Sequence, residues 1–194
     1  MTPCRISLAS MAALLALAGA AVADGPYDSI RDTIELCATC HGESGVPADG
    51  TFPVIAGQHQ YYLYLQLKDF KAGRRANEQM SALVEGLEKE DMQLLAQYYA
   101  EEAWQDAPAA AATPEQMTVA EAAITAGQCV QCHLGGFEGA SGVPRLAGQW
   151  PQYLAKTMLD LKTRARANAP DKSSLLASFS DDQLAALAAY LGAM

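Results

Sequence analysis

The stretch Cys37-Ala38-Thr39-Cys40-His41 decides the fold, and the chain repeats its pattern as Cys129-Val130-Gln131-Cys132-His133. The pattern Cys-x-x-Cys-His is typical of a covalent attachment site for a c-type haem. Two thiols at this spacing bond to the two vinyl groups of one porphyrin, and the adjacent imidazole points at the iron. We therefore predict two c-type haems held by these four cysteines, with His41 and His133 as the proximal iron ligands.

Two other uses of a Cys-x-x-Cys pair explain less of the pattern. A zinc site takes four thiolates, or two thiolates and two distant histidines, and needs no histidine directly after each second cysteine. A thioredoxin-like redox site lies near a βαβ pattern, which this sequence lacks. The haem interpretation accounts for both the spacing and the histidines.

Residues 1–23 are predicted to be a signal peptide. Arg5 supplies a positive charge, the run from Met11 to Leu17 is apolar, and Ala21-Val22-Ala23 is a small-x-small cleavage site. The apolar run is shorter than the roughly 20 residues of a membrane span, although an uncleaved anchor is the alternative. The four cysteines after this segment all lie in the haem motifs, which leaves none for a disulfide. These features indicate export to a bacterial periplasm.

The chain that starts at Asp24 is acidic, with 22 Asp and Glu residues against 12 Lys and Arg residues. This charge argues against binding to nucleic acid or to anionic membranes. It is compatible with docking to a basic patch on a redox partner, and equally with a charge that only keeps the protein soluble.

The two haem motifs begin two copies of one unit, because their first cysteines are 92 positions apart and other segments recur at an interval of 91 positions. The segment P-x-x-A-G-Q follows each motif, at residues 53–58 and 144–149. Further matched pairs are Tyr62 with Tyr153 and Arg75-Ala76-Asn77 with Arg166-Ala167-Asn168. We predict domains at residues 24–106 and 115–194, joined by an extended Ala/Pro linker at residues 107–114.

Each unit is predicted to be helical, because apolar residues recur at spacings of three and four and no stretch alternates like a strand. The predicted helices are 27–37, 61–70 and 90–100 in the first unit, and 119–129, 153–161 and 181–191 in the second. Ser180 is the expected N-cap of the last helix, with Gln183 at the capping-box position. The predicted fold class is all-α. A covalent haem would stabilise each core, which is otherwise small for an independent domain.

The tandem haem motifs and the repeated P-x-x-A-G-Q segment resemble dihaem cytochromes of the c4 type. The resemblance implies two class I cytochrome c domains related by a pseudo-twofold axis, each wrapped around one covalent haem, with haem propionates near the interface. It also implies electron transfer toward a terminal oxidase or another periplasmic acceptor. The cytochrome subunits of sulfide dehydrogenases and the dihaem partners of thiosulfate-oxidising enzymes are built similarly. A role as subunit or acceptor of a sulfur-oxidising dehydrogenase is therefore the alternative, and a haem enzyme with an open second iron is a third possibility.

The resemblance extends to the surroundings of the first iron. It implies that the carbonyls of Pro53 and Pro144 accept hydrogen bonds from the two proximal histidines and fix their rings. Met80 lies 39 residues after His41, in a segment like the family's ligand loop, and is the expected second axial ligand of the first iron. Met92 is the rival, but its spacing places it on the core face of a helix.

The repeat breaks at the position that matches Met80. Counting 39 residues from the second motif's histidine reaches Lys172, whereas counting from the shared glutamine reaches Asp171. Met117 precedes the motif, Met158 lies within a predicted helix, and Met194 ends the chain. Three possibilities stay open for the second iron: ligation by the Lys172 amine, an open or water-bound position, or folding back of Met194.

Several repeated side chains have two interpretations each. Tyr62 and Tyr153 are expected in the core against a haem edge. Arg75 and Arg166 are expected either to pair with propionates, since a guanidinium suits a carboxylate, or to lie solvated on the surface. His59, the remaining histidine, is expected to be exposed at the start of a helix.

Overall fold

The computed structural model describes residues 25–194, so the predicted signal peptide lies outside the described residues. Within this range the secondary structure is helical, without a strand, and no helix there is long and apolar enough to cross a membrane. After a short 3-10 turn at Asp28–Ile30, domain 1 contains α1 Arg31–His41, α2 Gln60–Lys71, α3 Glu78–Val84 and α4 Lys89–Glu101. Domain 2 contains α5 Pro114–Gly127, α6 Val130–His133, α7 Pro151–Lys162, α8 Pro170–Leu176 and α9 Asp181–Gly192.

Capping residues explain where the helices of domain 2 begin. The Ser180 hydroxyl accepts a hydrogen bond from Gln183 N, and Gln183 Oε1 accepts one from Ser180 N, as predicted for a capping box. Thr113 and Gln116 form the same arrangement at the start of α5. The helix therefore begins five residues earlier than its predicted start at residue 119, because this cap was not recognised in the sequence.

Each domain has its own apolar core. In domain 1, α2 packs on α4, and in domain 2, α9 packs on both α5 and α7. The buried core residues are Ile30, Leu63, Leu95, Ala96 and Tyr99 in domain 1, and Ala120, Ala123, Phe179, Leu184 and Leu187 in domain 2. Two such cores, with matched helices around each, agree with two class I cytochrome c domains.

The segment between the domains is extended but does not act as a free spacer. Ala107 is 5% exposed and packs with Val54, Ala56 and Trp150 in a core cluster that spans both domains. The Ala107 N–H also donates to the Gly148 carbonyl at 2.7 Å. The linker prediction therefore missed that this segment is part of the interface. The predicted domain boundaries themselves stay a prediction.

A pseudo-twofold axis relates the domains. Arg75 and Arg166, which occupy matching positions in the two units, form an antiparallel β-bridge with each other. Matching backbone segments that pair in this way lie on either side of a twofold axis. The axis brings the repeated segments of the sequence to the centre of the molecule.

Candidate haem sites

Both Cys-x-x-Cys-His motifs line one cavity of about 1100 Å³ between the domains. The four thiols are free, and both histidines also line the cavity. The remaining walls are largely apolar and include Leu63, Phe70, Val84, Leu154, Leu161 and Leu187. The fold thus brings the two motifs, far apart in sequence, to a shared interior.

The two histidines are held in the same way. His41, at the end of α1, places Nδ1 3.1 Å from the Pro53 carbonyl, and His133 places Nδ1 3.1 Å from the Pro144 carbonyl. A carbonyl only accepts hydrogen bonds, so Nδ1 is the donor and Nε2 keeps the lone pair that a metal needs. Burial lowers the pKa of both histidines, which favours the neutral imidazole that binds metals.

Met80 and Lys172 occupy equivalent places in the two domains. Met80 is the third residue of α3 and Lys172 is the third residue of α8, and both line the cavity. Both residues lie in short helices, because Asn77 caps α3 and Pro170 begins α8. The count from the histidines therefore gives the structural match, and the exposed Asp171 is not among the residues that line the cavity.

The other methionines differ in their access to the cavity. Met92 is 5% exposed in the core of domain 1, outside the cavity lining, as its helical spacing predicted. Met158 lies on α7, lines the cavity and packs against the core of domain 2. Met194 is 41% exposed and does not line the cavity, and Met117 is also exposed.

A polar cluster at the interface forms one wall of the cavity. We call the following residues the interface cluster: Tyr62, Gln66, Asp69, Arg75, Tyr153, Arg166 and Asn168. Gln66 Oε1 is its centre and accepts from Arg75 Nη1 at 3.0 Å, Arg166 Nη2 at 2.9 Å and Asn168 Nδ2 at 3.0 Å. Arg166 is only 8% exposed, so the alternative of a solvated surface arginine is wrong for this residue.

The interface cluster concentrates positive charge beside Tyr153. Its hydroxyl accepts from Arg75 Nη2 at 2.8 Å. Burial disfavours the phenolate, but the charges of Arg75 and Arg166 outweigh burial and lower the pKa of Tyr153 to about 8. A wall with two guanidinium groups suits carboxylates such as those of haem propionates.

His59 differs from its predicted exposed position. It is half-buried before the first residue of α2, and its Nε2 lies 2.8 Å from the Glu138 carbonyl of the other domain. Because a carbonyl can only accept, the ring donates this bond and joins the two domains.

Comparison with known proteins places these motifs in a family. Residues 115–191 match the family described as "Cytochrome C oxidase, cbb3-type, subunit III". Over 95% of this chain and 96% of the relative, the sequence is 31% identical to cytochrome c4 of Pseudomonas aeruginosa. The chain belongs to the cytochrome c4 family. It is therefore a dihaem electron-transfer cytochrome with two covalent c-type haems, and the predictions of family, fold class, cofactor and electron-carrier function are confirmed.

Two further comparisons extend this result. The crystal structure of reduced cytochrome c4 from Pseudomonas stutzeri matches 88% of this chain and 100% of its own, with a TM-score of 0.77 and 26% identity. A thiosulfate dehydrogenase electron acceptor from Stutzerimonas stutzeri is 31% identical over 94% of this cytochrome c4 and 92% of the acceptor.

The residues of this cytochrome c4 fit the haems that the family implies. Each half of the cavity offers two thiols for the covalent bonds, one oriented neutral imidazole and apolar walls for the porphyrin faces.

Two residues of the interface had no role predicted from the sequence, namely Gln58 and Gln149. Their recurrence in both units was visible in the sequence, but nothing there indicated which groups they contact.

Proposed function

We propose that this protein is a periplasmic electron carrier with two unlike haem sites. Cys37 and Cys40 would hold the first haem, with His41 and Met80 as axial ligands. Cys129 and Cys132 would hold the second, with His133 and Lys172 as axial ligands. The bound haems supply reversible one-electron chemistry, and the observation that carries the proposal is the shared cavity lined by all of these residues.

Lys172 as an axial ligand is supported by its register. It stands where Met80 stands in the other domain, on a helix of the same length facing the same cavity. Its amine must lose its proton before it binds iron, and metal binding can drive that loss. A nitrogen donor stabilises ferric iron more than a thioether does, so the second haem would have the lower potential.

Periplasmic localisation rests on the sequence of residues 1–23 and on the use of cysteine. Covalent haem attachment, with no cysteine left over after the two motifs, fits an exported protein. An intact mass of the protein from a periplasmic extract should equal the chain from Asp24 plus two haems. A mass with one haem, or with the first 23 residues retained, would contradict the corresponding part of the proposal.

The cavity opens to solvent beside Leu36 and Leu83 of domain 1, a region that we call the domain 1 mouth. This mouth offers a docking surface for a redox partner. Leu36 on α1 is 48% exposed and Leu83 on α3 is 37% exposed, and both line the cavity. The same two helices and the residue after α3 carry exposed carboxylates, namely Asp32, Glu35, Glu78 and Glu85. An apolar centre accompanied by carboxylates suits a partner with a basic patch, such as a terminal oxidase or a dehydrogenase.

The second domain lacks these four carboxylates at the matching positions. Shifted by 92 positions, the four carboxylates are replaced by Ile124, Gly127, Pro170 and Ala177. Residues 25–106 contain 14 Asp and Glu against six Lys and Arg, whereas residues 115–194 contain seven against six. Charge would therefore steer a basic partner to domain 1.

A second candidate for the partner is a thiosulfate-oxidising enzyme. The similarity to the thiosulfate dehydrogenase electron acceptor of Stutzerimonas stutzeri favours it, because the match covers nearly the whole of both chains. Purification of the native protein at low ionic strength would distinguish a dedicated acceptor of a thiosulfate-oxidising enzyme from a respiratory carrier. Co-purification with a thiosulfate-oxidising subunit would favour the dedicated acceptor, and isolation as a free cytochrome reduced by several donors would favour the respiratory carrier.

A further inference from the structure

Two buried glutamines cross the domain interface. Gln58 and Gln149 end the two P-x-x-A-G-Q segments and are 4% and 3% exposed. The Gln149 amide reaches into domain 1, where Val54 N donates to its Oε1 at 2.9 Å and its Nε2 donates to the Val54 carbonyl at 2.9 Å. One side-chain amide of domain 2 thus pairs with both backbone groups of one residue in domain 1.

Gln58 makes the reciprocal contact. Arg145 N donates to Gln58 Oε1 at 2.9 Å, and Gln58 Nε2 donates to the Arg145 carbonyl at 3.1 Å. Each Oε1 also accepts from the next residue of its own chain segment, His59 N or Trp150 N, at 3.1 Å. An atom that faces two N–H donors must be the amide oxygen, which fixes the orientation of both side chains.

The peptide group that meets each glutamine is the one that orients a haem-site histidine. His41 Nδ1 donates to the Pro53 carbonyl, and the N–H of that same peptide unit belongs to Val54, which donates to Gln149. In domain 2 the peptide from Pro144 to Arg145 lies between His133 and Gln58 in the same way. Each peptide therefore has a histidine on its carbonyl side and the other domain's glutamine on its N–H side.

We infer that Gln149 is a positioning residue for His41 and Gln58 is a positioning residue for His133, so that each domain adjusts the haem of the other. An N–H that donates polarises its peptide, and hydrogen bonds in a chain strengthen one another by about 10–30%. The proline carbonyl becomes a stronger acceptor, and the histidine becomes a more basic ligand. A more basic ligand favours ferric iron, so each glutamine lowers the midpoint potential of the haem across the interface.

The inference rests on the dihaem electron-transfer function and is tested by crossed substitutions. Gln149→Met removes the acceptor at similar size and should raise the potential of the first haem, with the second unchanged. Gln58→Met should do the reverse. We expect the redox equilibrium constant to change by about threefold to tenfold, tenfold being roughly 59 mV for one electron. The measurement is a redox titration of the purified holoprotein, with each haem assigned by proton NMR contacts to Cys37 or Cys129.

A second readout addresses the hydrogen bond itself. In the reduced protein, the Nδ1 proton signal of His41 should move upfield in Gln149→Met, because its acceptor is weakened, and that of His133 should not move. A purely structural role in the interface would not confine the change to one histidine.

Two further variants keep the inference testable. Gln149→Glu retains an acceptor oxygen for Val54 N–H, so it should not raise the potential of the first haem. This variant tests the inference if Gln149→Met fails to assemble. His59→Leu removes a different bond between the domains, the one donated to the Glu138 carbonyl, and should leave both potentials unchanged.

Several outcomes would overturn the inference. They are a shift confined to the haem of the substituted domain, equal shifts of both haems, or the same shifts in His59→Leu. Haem content by mass checks the dihaem function separately. An intact two-haem protein with unchanged potentials in both Gln→Met variants would refute this inference alone.

Discussion

The two domains share one fold but differ in the residues that we propose contact iron and redox partners. In domain 1 a single helix, α1, runs through the haem motif, whereas in domain 2 Gln128, with φ of 49°, separates α5 from α6. Domain 1 has Met80 facing the cavity and carboxylates beside the cavity mouth, and domain 2 has Lys172 and neutral residues at the same places. The two units therefore share the motifs of the haem sites and differ at the positions that we propose set the potential and the docking of a partner.

The largest effect is expected when one haem is removed at a time, which tests whether the two domains hold their haems independently. The double variant Cys37→Ala/Cys40→Ala should lose the covalent haem of domain 1 only, because no other cysteine lines that half of the cavity. Cys129→Ala/Cys132→Ala should lose the haem of domain 2 only. Intact mass and pyridine haemochrome spectra measure the number of haems. Loss of both haems in either variant would show that the two sites do not mature independently.

Exchange of the axial residues should produce the next largest effect. Lys172→Met would give domain 2 a thioether and raise its haem potential by on the order of 100 mV, since axial ligands span about 0.8 V across haem proteins. Met80→Lys should lower the potential of the first haem. A redox titration with magnetic circular dichroism measures both.

The wild-type spectra decide between the possibilities for the second iron. A low-spin second haem that becomes His/Met in Lys172→Met supports lysine ligation. A high-spin haem that binds cyanide readily supports an open site. Two indistinguishable His/Met haems in the wild type would refute the difference between the domains at this position.

Much of the haem site was predictable because its chemistry is local in sequence. The two Cys-x-x-Cys-His motifs indicated the cofactor, and the spacing from their histidines led to Met80 and Lys172, which line the same cavity. The short helices α3 and α8 were missed, since seven residues hold too little periodicity to be recognised.

The interface was not predictable, because its contacts join residues far apart in the chain. Gln66 matches Thr157 in the other unit, so the repeat gave no sign that Gln66 centres a cluster. The residue types of His59 and Ala107 gave no indication that either side chain would be buried. Contacts with the other domain help to bury both. Such contacts depend on tertiary geometry, which periodicity and spacing do not contain.

A reversal of charge tests the difference in docking. Glu35→Lys places a positive charge beside the apolar mouth of domain 1 and should slow reduction of a basic single-haem cytochrome c by about threefold to tenfold at low ionic strength. Glu121→Lys makes the same change of charge on α5 of domain 2 and is the matched control. Stopped-flow kinetics at several salt concentrations measure the effect. Equal slowing by both variants would show that net charge, rather than the domain 1 mouth, steers the partner.

The smallest effect is expected in the interface cluster, where Gln66 of domain 1 is compared with the matching residue of domain 2, Thr157. Gln66→Leu removes the oxygen that accepts from Arg75, Arg166 and Asn168, which leaves guanidinium donors unpaired in a half-buried position. We expect the free energy of unfolding to fall by about 2–3 kcal/mol. The matched variant Thr157→Val, at the equivalent position of domain 2, should cost less than about 1 kcal/mol, because within residues 25–194 no set of three donors like that at Gln66 converges on Thr157. Chemical denaturation of both holoproteins measures the difference. Equal costs would mean that the cluster is shared evenly by the domains and that the asymmetry centred on Gln66 has no energetic consequence.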